Sequence, residues 1–128
     1  MKRQLICALF AVFLLIPALA SAAAQEKEFV VASTGDIIDL CTTAPDDPLY
    51  TAAIHFCHGY LVGAYAYYRA ANSGPEGDRL VCLPDPAPSR NAAVEMYVKW
   101  AKAHPERMKE APVDSFFMFL AEQWPCKK

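Results

Sequence analysis

The residues best suited to chemistry lie together in the middle of the chain, in the stretch His55-Phe56-Cys57-His58. Two histidines spaced i, i+3 lie on the same side of a helix and could share one metal ion. Zinc usually takes at least three protein ligands, and the nearest further candidates, Cys41 and Cys57, are better used in a disulfide. Covalent haem needs a second cysteine three residues before Cys57, where the chain has Ile54. We therefore expect neither a metal nor another cofactor.

A hydrolytic site would need a nucleophile, a base and an orienting group. The serines Ser33, Ser89 and Ser115 all lie at or near predicted helix starts, where serine acts as a cap. His104 precedes a proline at a predicted helix end. The chain has no H-E-x-x-H, G-x-S-x-G or paired-carboxylate signature. The sequence therefore favours a protein that is not an enzyme.

The first 24 residues have the composition of a signal peptide. Lys2 and Arg3 form a basic start, residues 5–19 form an apolar run, and alanine-rich positions near residue 22 offer a cleavage site. We expect residues 1–24 to be removed on export to an oxidising compartment and residues 25–128 to form a single domain.

Charge and cysteine content narrow the possible partners and the compartment. Without Lys2 and Arg3 the chain has 10 basic against 14 acidic residues, a net charge of −4, which argues against nucleic-acid binding. Four cysteines remain, Cys41, Cys57, Cys82 and Cys126. An even number in an exported chain predicts two disulfides, for which the sequence alone allows three pairings.

The stretch from Asp47 to Asn72 is predicted to be the central helix. Asp47 would be its N-cap and Pro48 its first residue. The 21 residues from Pro48 to Tyr68 include no Asp, Glu, Lys or Arg, but their tyrosines and histidines are scattered rather than placed at the two ends, so we do not expect a membrane span. A helix that is apolar nearly all round should be covered on several sides. Gly59 and Gly63, four residues apart, favour close approach of a neighbouring helix or a second subunit.

Three shorter helices complete the prediction of an all-α fold, a small disulfide-stapled bundle of about four helices. Thr34 would cap the first helix, Ser89 the third, and Pro112 would begin the fourth. The segment Phe29-Val30-Val31 is expected to pack on the core. The fourth helix has an apolar stripe at helical spacing, formed by Val113, Phe116, Phe117, Leu120 and Trp124.

The helix order also favours one disulfide pairing. Two helices joined by a short connector run antiparallel, which brings Cys82, before the third helix, close to Cys126, after the fourth. Cys41 and Cys57 lie on either side of the first turn between helices. We therefore favour Cys41–Cys57 and Cys82–Cys126.

A binding surface is expected on the central helix or in the loop after it. Three tyrosines of this helix, Tyr60, Tyr67 and Tyr68, exceed what a slim bundle needs inside, and tyrosine is enriched at interface hot spots. The loop that follows is exposed by composition. Its candidate partner-binding residues are Asn72, Ser73, Glu76, Asp78 and Arg79.

An ordered set of small motifs resembles the Rap/Tai-type immunity proteins of bacterial type VI secretion. The motifs are Gly35-Asp36-Ile37 with Leu40-Cys41, Phe56-Cys57 with Gly59-Tyr60 and Gly63, Cys82-Leu83-Pro84, His104-Pro105 and Trp124-Pro125-Cys126.

The resemblance implies a small helical periplasmic protein, often a homodimer, that binds a peptidoglycan amidase effector and blocks it by occlusion rather than catalysis. The residues alone leave an alternative open, a periplasmic stress or chaperone-like helical protein without a cognate effector. That alternative rests on the aromatic-rich central helix, which would become exposed if a dimer opened.

Overall fold

The structure is a computed structural model that describes residues 23–73 and 79–127. It is all-α over these residues, with four α-helices: α1 (Thr34–Cys41), α2 (Tyr50–Ala71), α3 (Arg90–Ala103) and α4 (Pro112–Gln123). Short 3₁₀ helices cover Glu26–Val30 and Pro105–Arg107. The predicted four-helix fold class is thus confirmed. The proposed signal peptide lies almost entirely outside the described residues.

α1 is the shortest helix and lies at the centre of the bundle, where it packs against α2, α3 and α4. Its N-cap is Ser33 rather than the predicted Thr34. The Ser33 hydroxyl accepts a hydrogen bond from the Asp36 amide, and the Asp36 carboxylate accepts one from the Ser33 amide, which completes a capping box. Thr34 is fully buried instead, and its hydroxyl donates to the Glu110 carbonyl and to Ser115.

α2 begins later than predicted, because Asp47 and Pro48 belong to the turn before it. Leu49 is the N-cap residue. Asp47 still stabilises this junction: its carboxylate accepts from the Leu49 amide at 2.7 Å and from the Ala24 amide at 2.9 Å. The aspartate therefore ties the start of the described chain to the start of the long helix.

One face of α2 is buried and the opposite face is exposed, so the expectation of cover on several sides is wrong for the single chain. Ala53, Cys57 and Leu61 point into the core, whereas Val62 is 40% and Tyr67 78% exposed. A Cβ added at Gly59 or Gly63 would meet no atom within 4 Å. No helix among residues 23–73 and 79–127 is long and apolar enough to cross a membrane.

α3 and α4 begin as predicted, but the face that α4 buries matches its predicted stripe only in part. α3 is capped by Ser89 as expected and buries Val94, Tyr97 and Ala101. In α4, Phe116 and Leu120 are buried as predicted, but Ser115 and Phe119 are buried too and Val113 is 42% exposed. The inward face is therefore rotated from the predicted stripe. Near the start of the domain, Val31 packs on the core as expected but Val30 is 78% exposed.

Two disulfides join the pairs that the helix order favoured. Cys41–Cys57 links the end of α1 to α2, and Cys82–Cys126 links the α2–α3 connection to the residues after α4. Backbone hydrogen bonds support the second link, from the Cys82 amide to the Trp124 carbonyl and from the Cys126 amide to the Leu80 carbonyl. The segment before α3 and the segment after α4 are therefore held together.

Candidate functional site

The two histidines of α2 do not meet further metal ligands in the described part of the chain. His55 is exposed and His58 half-buried. No group of three or more His, Cys, Asp or Glu side chains among these residues is arranged to bind a metal ion, and both nearby cysteines are in a disulfide.

The serines act mainly on structure. Ser33 and Ser89 cap helices, but Ser115 is fully buried between α1, α3 and α4. Its hydroxyl lies 2.7 Å from both the Thr34 hydroxyl and the Tyr97 hydroxyl, and it donates to the Pro112 carbonyl at 3.1 Å. Burial raises the pKa of Tyr97 to about 12, although its hydrogen bond to Ser115 acts in the opposite direction. This cluster has hydroxyl groups but no base, and it stabilises the core.

His104 is likewise held in a structural position. Its ring stacks on Trp100 with centroids 4.4 Å apart, and its Nδ1 lies 2.8 Å from the Trp100 carbonyl oxygen. It is the C-cap residue of α3, and it contacts none of the serines named above through a hydrogen bond.

A polar cleft of about 470 Å³ lies at the C-terminal end of α2 and brings together much of the predicted binding surface. We call it the arginine cleft. Its lining residues are Tyr65, Tyr68, Arg69, Asn72, Ser73, Arg79, Val81, Cys82, Leu83 and Ala87. Three predicted partner-binding residues, Asn72, Ser73 and Arg79, therefore line one site. The other two, Glu76 and Asp78, lie outside the described residues.

The end of α2 explains how the arginine cleft is formed. The Asn72 side chain donates to the Tyr68 carbonyl and the Ser73 hydroxyl to the Ala70 carbonyl, so both residues satisfy the last carbonyls of the helix. The Tyr68 hydroxyl accepts hydrogen bonds from the Leu80 and Val81 amides at 2.7 and 3.1 Å. This tyrosine holds the returning chain against the helix and fixes one wall of the cleft.

Arg69 and Tyr65 also belong to this site, although neither is among the residues predicted to bind a partner. The available signal was the charge pattern, because Arg69 is the first charged residue after 21 uncharged ones. Its side chain is exposed and lines the same cleft as Arg79. The described part of the chain has one ion pair, Arg107–Glu110, so neither arginine is neutralised by a described carboxylate.

Two apolar depressions flank α2. The outer groove, of about 710 Å³, runs between α2 and α4 and is lined by Gly59, Tyr60, Gly63, Ala64, Tyr67, Tyr68, Ala71, Asn72, Leu80, Val113 and Phe117. The apolar pocket, of about 220 Å³, lies between α2, α3 and α4 and is lined by Leu61, Val62, Tyr65, Leu83, Pro88, Arg90, Ala93, Val94, Phe116, Leu120 and Trp124.

A family model for Rap1a immunity proteins matches residues 33–126. The chain belongs to this family. The matched segment begins at Ser33, the cap of α1, and ends at Cys126, so it includes all four helices, both disulfides and the arginine cleft. No curated protein and no solved structure matches the chain.

Membership of the Rap1a immunity family fits the geometry just described. Immunity proteins of this family act by binding an effector protein and are generally not enzymes. A surface that offers exposed arginines beside half-buried tyrosines suits a protein partner. The two disulfides are typical of proteins in an oxidising compartment.

Proposed function

We propose that this Rap1a-family protein is a periplasmic immunity protein that neutralises a type VI peptidoglycan amidase by covering its active site. The observation that carries the proposal is the family match across residues 33–126. The basic start and apolar run of residues 1–24 support export through a cleaved signal peptide, which leaves residues 25–128 as the mature domain.

The arginine cleft is the proposed contact surface for the amidase. Arg69 and Arg79 supply positive charge, and Tyr65 and Tyr68 supply aromatic area beside it. Arginine and tyrosine are among the residues that contribute most to binding energy at protein interfaces. A carboxylate-bearing segment near the rim of the enzyme's active site would fit here, and the body of the helical domain would then block access of peptidoglycan.

Reconstitution with the amidase effector encoded in the same cell tests this function. The oxidised mature protein should form a stoichiometric complex with the amidase and stop release of peptide from peptidoglycan sacculi. Full amidase activity in the presence of excess protein would contradict the immunity function.

A charge-reversal pair tests the contact surface separately. R69E/R79E should weaken the complex by at least tenfold, because each contact with a charged group contributes roughly 1.5–3 kcal/mol. The matched control K99E/K109E changes the same amount of charge at exposed positions outside the cleft. Inhibition that survives in R69E/R79E, with the wild-type protein active, would exclude the cleft but not the function.

The exposed face of α2 is the proposed interface of a homodimer. This face has no charged side chain from Pro48 to Tyr68, it includes two glycines with free space above them, and it continues into the apolar outer groove. A helix of 22 residues is about 33 Å long. The exposed Val113 beside it extends this apolar surface onto α4.

Sedimentation equilibrium measures the dimer directly. The mature protein should be a dimer at micromolar concentration, and G59L/G63L should dissociate it because leucines would hold the two helices apart. K99L is the control: it places a leucine at an exposed position of α3 and should leave the dimer intact. A monomeric wild-type protein, or a dimer unaffected by G59L/G63L, would exclude this interface.

A further inference from the structure

The apolar pocket reaches the core of the bundle from the surface. Its inner wall is made of residues that are almost completely buried, Leu61, Phe116 and Leu120, with exposed fractions of 3%, 6% and 3%. Its outer wall includes Val62, which is 40% exposed. The volume of about 220 Å³ exceeds the roughly 150 Å³ of apolar cavities known to bind benzene. The pocket is therefore large enough for an organic group.

The chemistry of the pocket rim is different from that of its interior. Arg90 is the charged residue of the lining and the first residue of α3. It has no ion-pair partner in residues 23–73 and 79–127. The N-terminal end of the 14-residue helix α3 adds positive potential near the same rim. An anionic head group at the rim would thus be attracted, while an apolar tail would fill the interior.

We infer that the apolar pocket binds a medium-chain fatty acid, with the carboxylate at Arg90 and the alkyl chain between α2, α3 and α4. A volume of 220 Å³ holds about seven carbon groups of an alkyl chain. Each group is taken to occupy roughly 30 Å³, the volume of one water molecule in the liquid. Seven carbons beyond a carboxylate correspond to octanoate. The inference does not rest on the proposed immunity function, although the pocket shares Tyr65 and Leu83 with the arginine cleft. The pocket lies on a different side of α2 from the outer groove.

Calorimetric titration of the oxidised mature protein with a homologous series of fatty acids tests the inference. Affinity should rise about fourfold per methylene from hexanoate to octanoate, the factor that corresponds to about 0.8 kcal/mol per buried methylene. The gain should level off at decanoate, when the pocket is full. Octylammonium, which has the same chain and the opposite charge, should bind at least tenfold more weakly than octanoate.

Variants locate the site. R90Q should weaken octanoate binding about tenfold and leave octanol binding unchanged, and R90K should restore part of the loss. A93L should abolish binding by filling the pocket, whereas N91L, on the exposed face of α3, is the matched control. Methyl chemical shifts of Leu61, Val62 and Leu120 should move on titration with wild-type protein.

Three results would overturn the inference. One is the absence of saturable binding at octanoate concentrations up to about 10 mM. A dissociation constant above that concentration is too weak for a defined site. The second is equal affinity for octanoate and octylammonium. The third is full binding by A93L protein whose circular dichroism matches that of the wild type, since the ligand would then lie elsewhere.

Discussion

Ser115 joins three helices through one hydroxyl group. Ser115 lies in α4. Its hydroxyl accepts a hydrogen bond from the Thr34 hydroxyl of α1 and forms another with the Tyr97 hydroxyl of α3. All three side chains are fully buried. A buried polar group that loses its partner retains its full desolvation cost, so the cluster is sensitive to the loss of its central member.

S115A should therefore destabilise the protein by about 1–3 kcal/mol. Tyr97 would lose its hydroxyl partner, while Thr34 would keep the Glu110 carbonyl. Urea unfolding followed by circular dichroism measures the change. S73A removes a serine hydroxyl at an exposed position and should cost less than about 0.5 kcal/mol. Equal effects of the two substitutions would contradict the role assigned to the cluster.

Asp39 gives a prediction about pH. Burial raises the pKa of its carboxyl, and the carboxylates of Glu28 and Asp36 raise it further, against smaller opposing effects of Lys102 and Lys27. Because folding favours the protonated form, the ionised carboxylate lowers stability at neutral pH. That cost disappears as the pH falls through the raised pKa towards the ordinary pKa of an aspartate.

We thus expect D39N to be more stable than the wild type at pH 7 and to lose that advantage near pH 4. Thermal unfolding across this range measures the effect. D36N, on the same helix, should be less stable than the wild type at pH 7. The Asp36 carboxylate lies in the first turn of α1 and accepts a hydrogen bond from the Ser33 amide. A D39N advantage that persists unchanged at pH 4 would rule out ionisation as the cause.

Among the elements, α2 has an inner face that packs in the core and an outer face that is exposed around Gly59 and Gly63. The glycines on the outer face give a direct prediction. G59A and G63A should each stabilise the single chain by up to about 1 kcal/mol, because alanine favours the helix and the added Cβ meets nothing within 4 Å.

Chemical unfolding of dilute protein checks the glycine substitutions, under conditions where any dimer has dissociated. G35A is the comparison, since its Cβ would lie 3.4 Å from the Met108 carbonyl oxygen and should give a smaller gain. Destabilisation by G59A or G63A in dilute protein would show that the outer face is covered within the chain.

The sequence predicted which segments are helical better than which faces they bury. Caps and prolines are local signals, and Ser89 and Pro112 marked the starts of α3 and α4 correctly. The burial of Ser115 depends on Thr34, which is 81 residues away, so the spacing of apolar residues in α4 favoured Val113 instead. In the arginine cleft, loop composition indicated Asn72, Ser73 and Arg79, but Arg69 and Tyr65 belong to a helix and join the cleft only in the folded chain.

At the scale of the whole molecule, the two disulfides differ in exposure. Cys57 is fully buried, whereas Cys82 is exposed beside the arginine cleft. Thiol–disulfide exchange depends on access of the attacking thiolate to a sulfur. We expect mild reductant to open Cys82–Cys126 before Cys41–Cys57, as measured by alkylation and peptide mass spectrometry over time.

Opening Cys82–Cys126 should also lower the unfolding free energy by about 4 kcal/mol in the loop-entropy treatment, against about 3 kcal/mol for the shorter loop of Cys41–Cys57. The C82A/C126A and C41A/C57A proteins provide the matched pair for thermal unfolding. Simultaneous reduction of both bonds would mean that the domain opens as one unit before either bond is attacked.

The disulfides also divide the chain into two covalent rings that do not overlap, one closed between residues 41 and 57 and the other between residues 82 and 126. A mechanical force applied to the two ends would not extend the chain inside either ring. The force would pass through the disulfide that closes each ring, which joins Cα atoms about 5 Å apart. About 200 Å of contour length would stay hidden from the pulling device. A ring-shaped unfoldase that threads single polypeptides would meet a doubled chain at each ring, so the oxidised protein should be much harder to translocate than its helical content suggests.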